Sequence, residues 1–183
     1  MIPIHKAIQN LFPHAQVIVD KYHVVQKVTQ ALDQVRKNIP GLKKVRFCLL
    51  KSYKNINEKQ RIRLNELLEG NECLAYAYYL KELFRDFYQS PDYETAHQLL
   101  KEWLQLAWSS PFPAFHHVAK TIEKWRNQIL QYFHTPYTNG RTEGTNHKIK
   151  NIKRRAYGYR NPQRFRTRVF LECTGKTYNK QIA

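Results

Sequence analysis

AQVIVDKYHVVQKVTQALDQVRK, Ala15 to Lys37, holds two periodicities that meet at one acid. Gln16 to Val19 is a short apolar and β-branched run, too short for a helix, and reads as a buried strand ending at Asp20. After Asp20 the period changes. Val24, Val25, Val28, Ala31, Leu32 and Val35 recur as one helical stripe that ends near Pro40-Gly41. Strand, acid, helix is the order in which an α/β domain places a functional carboxylate at a strand end. A strand needs partners for its backbone donors and acceptors, and no second convincing strand follows, so its sheet must be supplied from elsewhere.

On the near side, Ile4, Ala7, Ile8 and Leu11 recur at helical spacing, with Pro13 marking a break. On the far side, from about Lys43 to Phe133, the pattern is helical with short punctuation. Asn57 is placed to cap a helix running to Glu69, and Gly70-Asn71 breaks it. Pro91 is expected in the first turn of another helix, and Ser110-Pro111 at the start of the next. That helix would carry His117, Thr121, Lys124 and Gln128 on one side and Val118, Ile122, Trp125 and Ile129 on the other. Trp103, Trp108 and Trp125 are expected to pack in or beside the core. His116 and His117 point to different helix faces, which argues against a metal site built from the pair.

The last quarter is different in charge. The whole chain has 31 Lys and Arg against 14 Asp and Glu, a net +17 over 183 residues. Ten of that surplus lies between Thr138 and Ala183, where twelve basic residues face two acids. Such asymmetry favours a localised face for a polyanion, because neutralised phosphates release condensed counterions. With 42% apolar and 13% aromatic residues, the charge decorates a folded body and is not a disordered tail. Asn139-Gly140 reads as a turn, Thr142 to Arg155 as a helix, and Asn161-Pro162 as the cap and first turn of a last helix stopping at Gly175. On the first of these helices Glu143, Asn146, His147 and Lys150 share a face, at i, i+3, i+4 and i+7. Glu143 either stabilises the positive end of the helix dipole or pairs with Asp20 to hold divalent metal on a phosphodiester.

Other classes receive less support. Cys48, Cys73 and Cys173 are far apart with no C-x-x-C pair, so neither a zinc knuckle nor a disulfide framework is indicated. No signal peptide or membrane-spanning run is visible, which gives the expectation of a cytoplasmic protein with no membrane partner. No aromatic strand motif or KH loop suggests an RNA-binding module.

Three stretches carry a resemblance: FPHAQVIVDKYHVVQKVTQALDQVR, LLKSYKNINEKQ and YTNGRTEGTNHKIKNIKRRAYGYRNPQRFRTRVFL. In order and spacing they resemble the DDE-type insertion-sequence transposases of the ISL-three family. The resemblance implies a mostly α chain forming a partial ribonuclease-H-like α/β domain with a large all-helical insertion. Its parts would be residues 1–42 with the second acid, 43–134 as the insertion, and 135–183 with the third acid and the basic face. Asp20 matches the second acid in V-D-[RK]-[FY]-H-V-V, and Glu143 the third in N-G-x-x-E-G-x-N. These two would be the catalytic and metal-binding residues, and His23 falls within the first pattern. Lys148, Lys150, Lys153, Arg154, Arg155 and Arg160 would contact double-stranded DNA at transposon ends.

The family uses three acids, and Met1 to Val19 contains neither Asp nor Glu. Asp33 is a poor substitute because it lies on the helix after Asp20. The expectation is therefore a C-terminal part of a transposase, left by a decayed or frameshifted gene or by the limits of the piece in hand. Mg2+ or Mn2+ would serve the intact enzyme and bind this part weakly or not at all. Self-association or association with an intact transposase would supply missing strands. The alternative is a non-catalytic basic DNA-binding or regulatory module.

Overall fold

The computed structural model describes residues 11–14, 16–137 and 139–175. The helix expected from Ile4 lies almost wholly outside them. Two compact units are present, Met1–Tyr137 and Thr138–Ala183.

In the first unit, α1 (Lys21–Lys37) buries Val24, Val28, Ala31, Leu32 and Val35 and leaves Val25 half-exposed. α2 (Arg46–Leu50) follows a short 3-10 turn, and α3 (Glu58–Glu69) starts at a reciprocal cap in which Asn57 and Gln60 satisfy each other's backbone N–H. Asn71 caps α4 (Glu72–Phe87) by accepting from the Leu74 N–H at 2.8 Å. α5 (Tyr93–Ser109) is capped by Asp92, so Pro91 stands ahead of the cap and not in the first turn.

α6 (Pro113–Lys124) begins later than Ser110-Pro111 suggested. Ser110 instead closes α5, its hydroxyl donating to the Ala107 carbonyl at 2.7 Å, and Pro113 takes the first helical position. The helix breaks at Trp125, whose backbone leaves the helical region (φ −107, ψ 16), and resumes as α7 (Arg126–Leu130).

α1 packs against α4 and α6, and α5 packs against those same two helices. Their shared interior holds Leu32, Leu74, Leu80, Phe84, Phe87, Leu100, Trp103, Phe115 and Ile122. Trp103 meets Phe84 edge-on with ring centroids 4.8 Å apart, and its indole N–H donates to the Leu80 carbonyl at 2.8 Å. Trp125 is half-buried against the core, but Trp108 is exposed, hydrogen-bonded to Glu123 and stacked on His116.

The expected strand is a correction. Among the described residues there is no strand. Gln16 to Val19 belongs to neither a helix nor a strand; Gln16 is exposed and Val17, Ile18 and Val19 are half-buried. What holds it is a helix: the Val19 N–H donates to the Gln128 carbonyl at 3.2 Å, and the Gln131 amide donates to Gln16 at 2.9 Å.

The second unit is a pair, α8 (Gly140–Arg155) packed on α9 (Pro162–Thr174). Asn161 caps α9 through the backbone N–H groups of Gln163 and Arg164, as its Asn-Pro sequence indicates. α8 ends in a Schellman turn: the Gly158 N–H reaches the Lys153 carbonyl at 3.1 Å and the Tyr157 N–H reaches Arg154 at 3.0 Å. Ile152 is the one fully buried side chain among the described residues of this unit. No helix among the described residues is long and apolar enough to cross a membrane, and all three thiols are unpaired.

Candidate metal and nucleic-acid site

Asp20, its own backbone extended, sits at the entry to α1. Its Oδ1 accepts from the Tyr22 N–H at 2.7 Å, so the carboxylate caps the helix it precedes. Around it is a group of side chains that motif reading missed. The Lys21 ammonium lies over the rings of Tyr88 and Tyr132, 5.2 and 5.6 Å from their centroids. The two rings meet edge-on at 5.5 Å. The Tyr88 phenol is buried and its pKa is pushed up, first by that burial and then by the negative charge of Asp20. Burial pushes the Lys21 pKa down. Tyr88 caps the C-terminal end of α4 and Tyr132 lies in the short 3-10 turn after α7, places that no local spacing ties to Asp20.

Asp33 is committed elsewhere. It is buried beside Arg36 (2.8 Å), with Lys37 and Arg46 each at 3.4 Å. Burial raises its pKa, but hydrogen bonds and charge from these cations outweigh that and hold it below the usual carboxylate range. Arg36 also donates to the Leu42 carbonyl at 2.9 Å, so this cluster ties the end of α1 to the following turn. His116 bonds the Ser110 carbonyl at 2.7 Å, while His117 is exposed.

Glu143 lies in the first turn of α8, one turn after Asn139, whose carbonyl accepts its N–H at 2.9 Å. At about 100° per residue, Glu143, His147, Lys150 and Arg154 fall on the face opposite Ile152, with Asn146 and Lys153 to one side. All six are exposed. Lys148 and Arg155 lie instead on the flank of Ile152 and reach α9. Lys148 donates to the Glu172 main-chain carbonyl, and Arg155 pairs with the Glu172 carboxylate, which Arg168 also contacts. The Arg155 hydrogen bond and then that of Arg168 hold Glu172 below the usual carboxylate range. Arg160 is exposed in the turn between the helices.

The six expected DNA contacts therefore divide. Lys150, Lys153 and Arg154 accompany Glu143, Lys148 and Arg155 hold α9, and Arg160 stands at the junction. Asp20 belongs to the first unit and Glu143 to the second. Among the described residues no three or more His, Cys, Asp or Glu cluster as a metal site.

Comparison with known proteins bears on both patterns. The transposase of insertion sequence element IS1001 from Bordetella parapertussis is 34% identical over 173 residues, covering 86% of this chain and 42% of that protein. The transposase of IS1557 from Mycobacterium tuberculosis is 28% identical over 195 residues, covering 89% of this chain and 44% of the relative. A shorter match, 29% over 108 residues and 59% of this chain, is to a Lactococcus lactis protein described as an ATP-dependent protease. The chain spans less than half the length of the two transposases it matches. No solved structure matches it significantly. The family model described as transposase, of the DDE type named for ISL3, aligns with residues 1–169 and so takes in both Asp20 and Glu143, and the chain belongs to that family.

Proposed function

We propose that this chain is the part of a DDE transposase that carries its second and third acids, Asp20 and Glu143, with a basic face that holds DNA beside the third. The observation that carries the reading is the composition of one face of α8. Glu143, His147, Lys150 and Arg154 line up opposite the buried Ile152, so a duplex lying on the cations is brought against the carboxylate.

Carboxylates are the oxygen donors that Mg2+ and Mn2+ prefer, so Asp20 and Glu143 are right in kind. They are short in number for a two-metal site, and in this reading a further carboxylate comes from outside the described residues. The ribonuclease-H-like class belongs to the same reading: the Gln16–Val19 segment would join a sheet whose other strands also lie outside them. Asp20 is held at the start of α1 by its capping bond from the Tyr22 N–H. Lys150, Lys153 and Arg154 would anchor the backbone of double-stranded DNA through phosphate contacts that are indifferent to sequence.

The test is duplex binding across a salt series. Replacing Lys150, Lys153 and Arg154 with Gln should weaken binding for all sequences alike and flatten the plot of log affinity against log salt by up to about three units. An unchanged slope would show that these cations are a solvated face.

A further inference from the structure

Between α8 and α9 the second unit has an open cleft of about 340 Å³, lined by Ile152, Arg155, Tyr159, Arg164, Arg168 and Glu172 among others. Three arginines, Arg155, Arg164 and Arg168, and one carboxylate, Glu172, share the lining. Arg155 and Arg168 both bond Glu172, so the cleft already holds an anion, an intramolecular one. Guanidinium forks match carboxylate and phosphate oxygens alike, and two of the three positive charges remain after Glu172 is counted. The arginine ends of the pairs face water: the Arg155 and Arg168 side chains are 63% and 58% exposed, against 20% for Glu172, so a phosphate can reach the guanidiniums from outside.

We propose that this cleft is a second phosphate-binding site for the DNA backbone and that Glu172 is its resident competitor, displaced when a phosphate bonds Arg155, Arg168 and Arg164. This rests on the DNA-binding reading and adds to it a site on the flank of α8, away from the face that carries Glu143. Glu172 is one of two acids in the most basic quarter of the chain. In the free protein it links α8 to α9; in the complex its departure raises the number of phosphate contacts. Weak or misplaced DNA, unable to displace the carboxylate, would be held by the outer face alone.

Glu172→Gln in the 183-residue chain tests this, because the two roles of the residue predict opposite signs. If Glu172 competes with phosphate, the variant binds a fluorescent duplex about two- to tenfold more tightly at low salt, because no carboxylate has to leave before Arg155 and Arg168 take phosphate. If Glu172 only braces the helices, affinity falls or is unchanged, and the proposal is overturned. A triple variant, Glu172→Gln with Arg155→Gln and Arg168→Gln, should lose the gain; a gain that persists would come from net charge alone and would remove the cleft from the account.

Should Glu172→Gln lose helical content by circular dichroism, Arg164→Gln tests the cleft with both pairs intact. Weaker duplex binding supports the site, and unchanged binding overturns it. Wild-type chain that shows no salt-dependent duplex binding would instead defeat the DNA-binding reading, and this inference with it. Salt-dependent binding that responds to Lys153 and Arg154 but not to Glu172 or Arg164 defeats this inference alone.

Discussion

Burying an ammonium group away from water requires acceptors for its protons, and Lys81 meets that requirement at the centre of the first unit. It is fully buried and donates to the carbonyls of Leu49 and Lys51 at 2.9 and 2.7 Å, with Glu82 beside it. Burial pushes its pKa down to about 8, against the opposing pull of Glu82. Lys81→Met should cost about 2–4 kcal/mol, because two carbonyls and a carboxylate lose their partner. The sign with pH follows from the lowered value. Between about pH 8 and 10.5 the unfolded chain binds the proton that the folded chain has given up, so the lysine's contribution to stability rises through that window. Urea unfolding at pH 7 and pH 10 should show a larger cost for the substitution at pH 10; equal costs would mean that the ammonium is hydrated. Tyr157 offers a simpler case. It occupies the left-handed position of the Schellman turn at φ 51, where glycine is usual, and it is fully exposed. Tyr157→Gly should stabilise the chain by about 1 kcal/mol, read as a higher urea midpoint. Gly158, at φ 106, should tolerate no such exchange in reverse.

At the scale of elements, what the sequence made legible was whatever is decided locally. Asn57, Gly70, Asn161 and Gly175 mark helix ends through bonds within a few residues, and the α1 stripe follows from spacing alone. The misreadings share a different cause. Gln16 to Val19 has the composition of a strand, but a strand is defined by a partner, and here a helix supplies the one backbone bond to Val19. Trp108 has the size of a core residue, yet Glu123 and His116 hold it at the surface. Glu172 belongs to no sequence motif, because its meaning lies in side chains from two helices. The neighbours of Asp20, Tyr88 and Tyr132, were invisible for the same reason. α8 also contains a local inconsistency that sequence shows and packing does not explain. Gly144 sits inside the helix, and a Cβ built there meets nothing within 4 Å. Gly144→Ala should therefore stabilise α8 by about 0.5–1 kcal/mol. If the glycine serves a close approach by DNA next to Glu143, the same variant should bind duplex less well, and a variant both more stable and equally tight would assign it no such part.

Across the whole molecule, burial is divided unevenly between the two units, and exchange rates should report it. Amide protons of α4 and α5, which surround Trp103 and Phe84, should exchange slowest, and those of α8 and α9 much faster. Uniform protection would contradict the division. Catalysis is a separate question. On the reading that two acids alone cannot position two metals, the 183-residue chain should leave supercoiled plasmid intact in Mg2+ or Mn2+. Metal-dependent nicking that disappears in an Asp20→Ala, Glu143→Ala double variant would refute this and place a sufficient ligand set within the chain; Asp33, ringed by three cations, is poorly placed to complete it. Ile152, the one fully buried side chain among the described residues of the second unit, sets a thermodynamic expectation. A helical pair with so little interior has few enthalpic reserves against fraying, so a duplex that engages both helices would order them as it binds. Calorimetry should then register a heat-capacity decrease larger than the contact area accounts for, the excess belonging to protein that becomes rigid only in the company of its ligand.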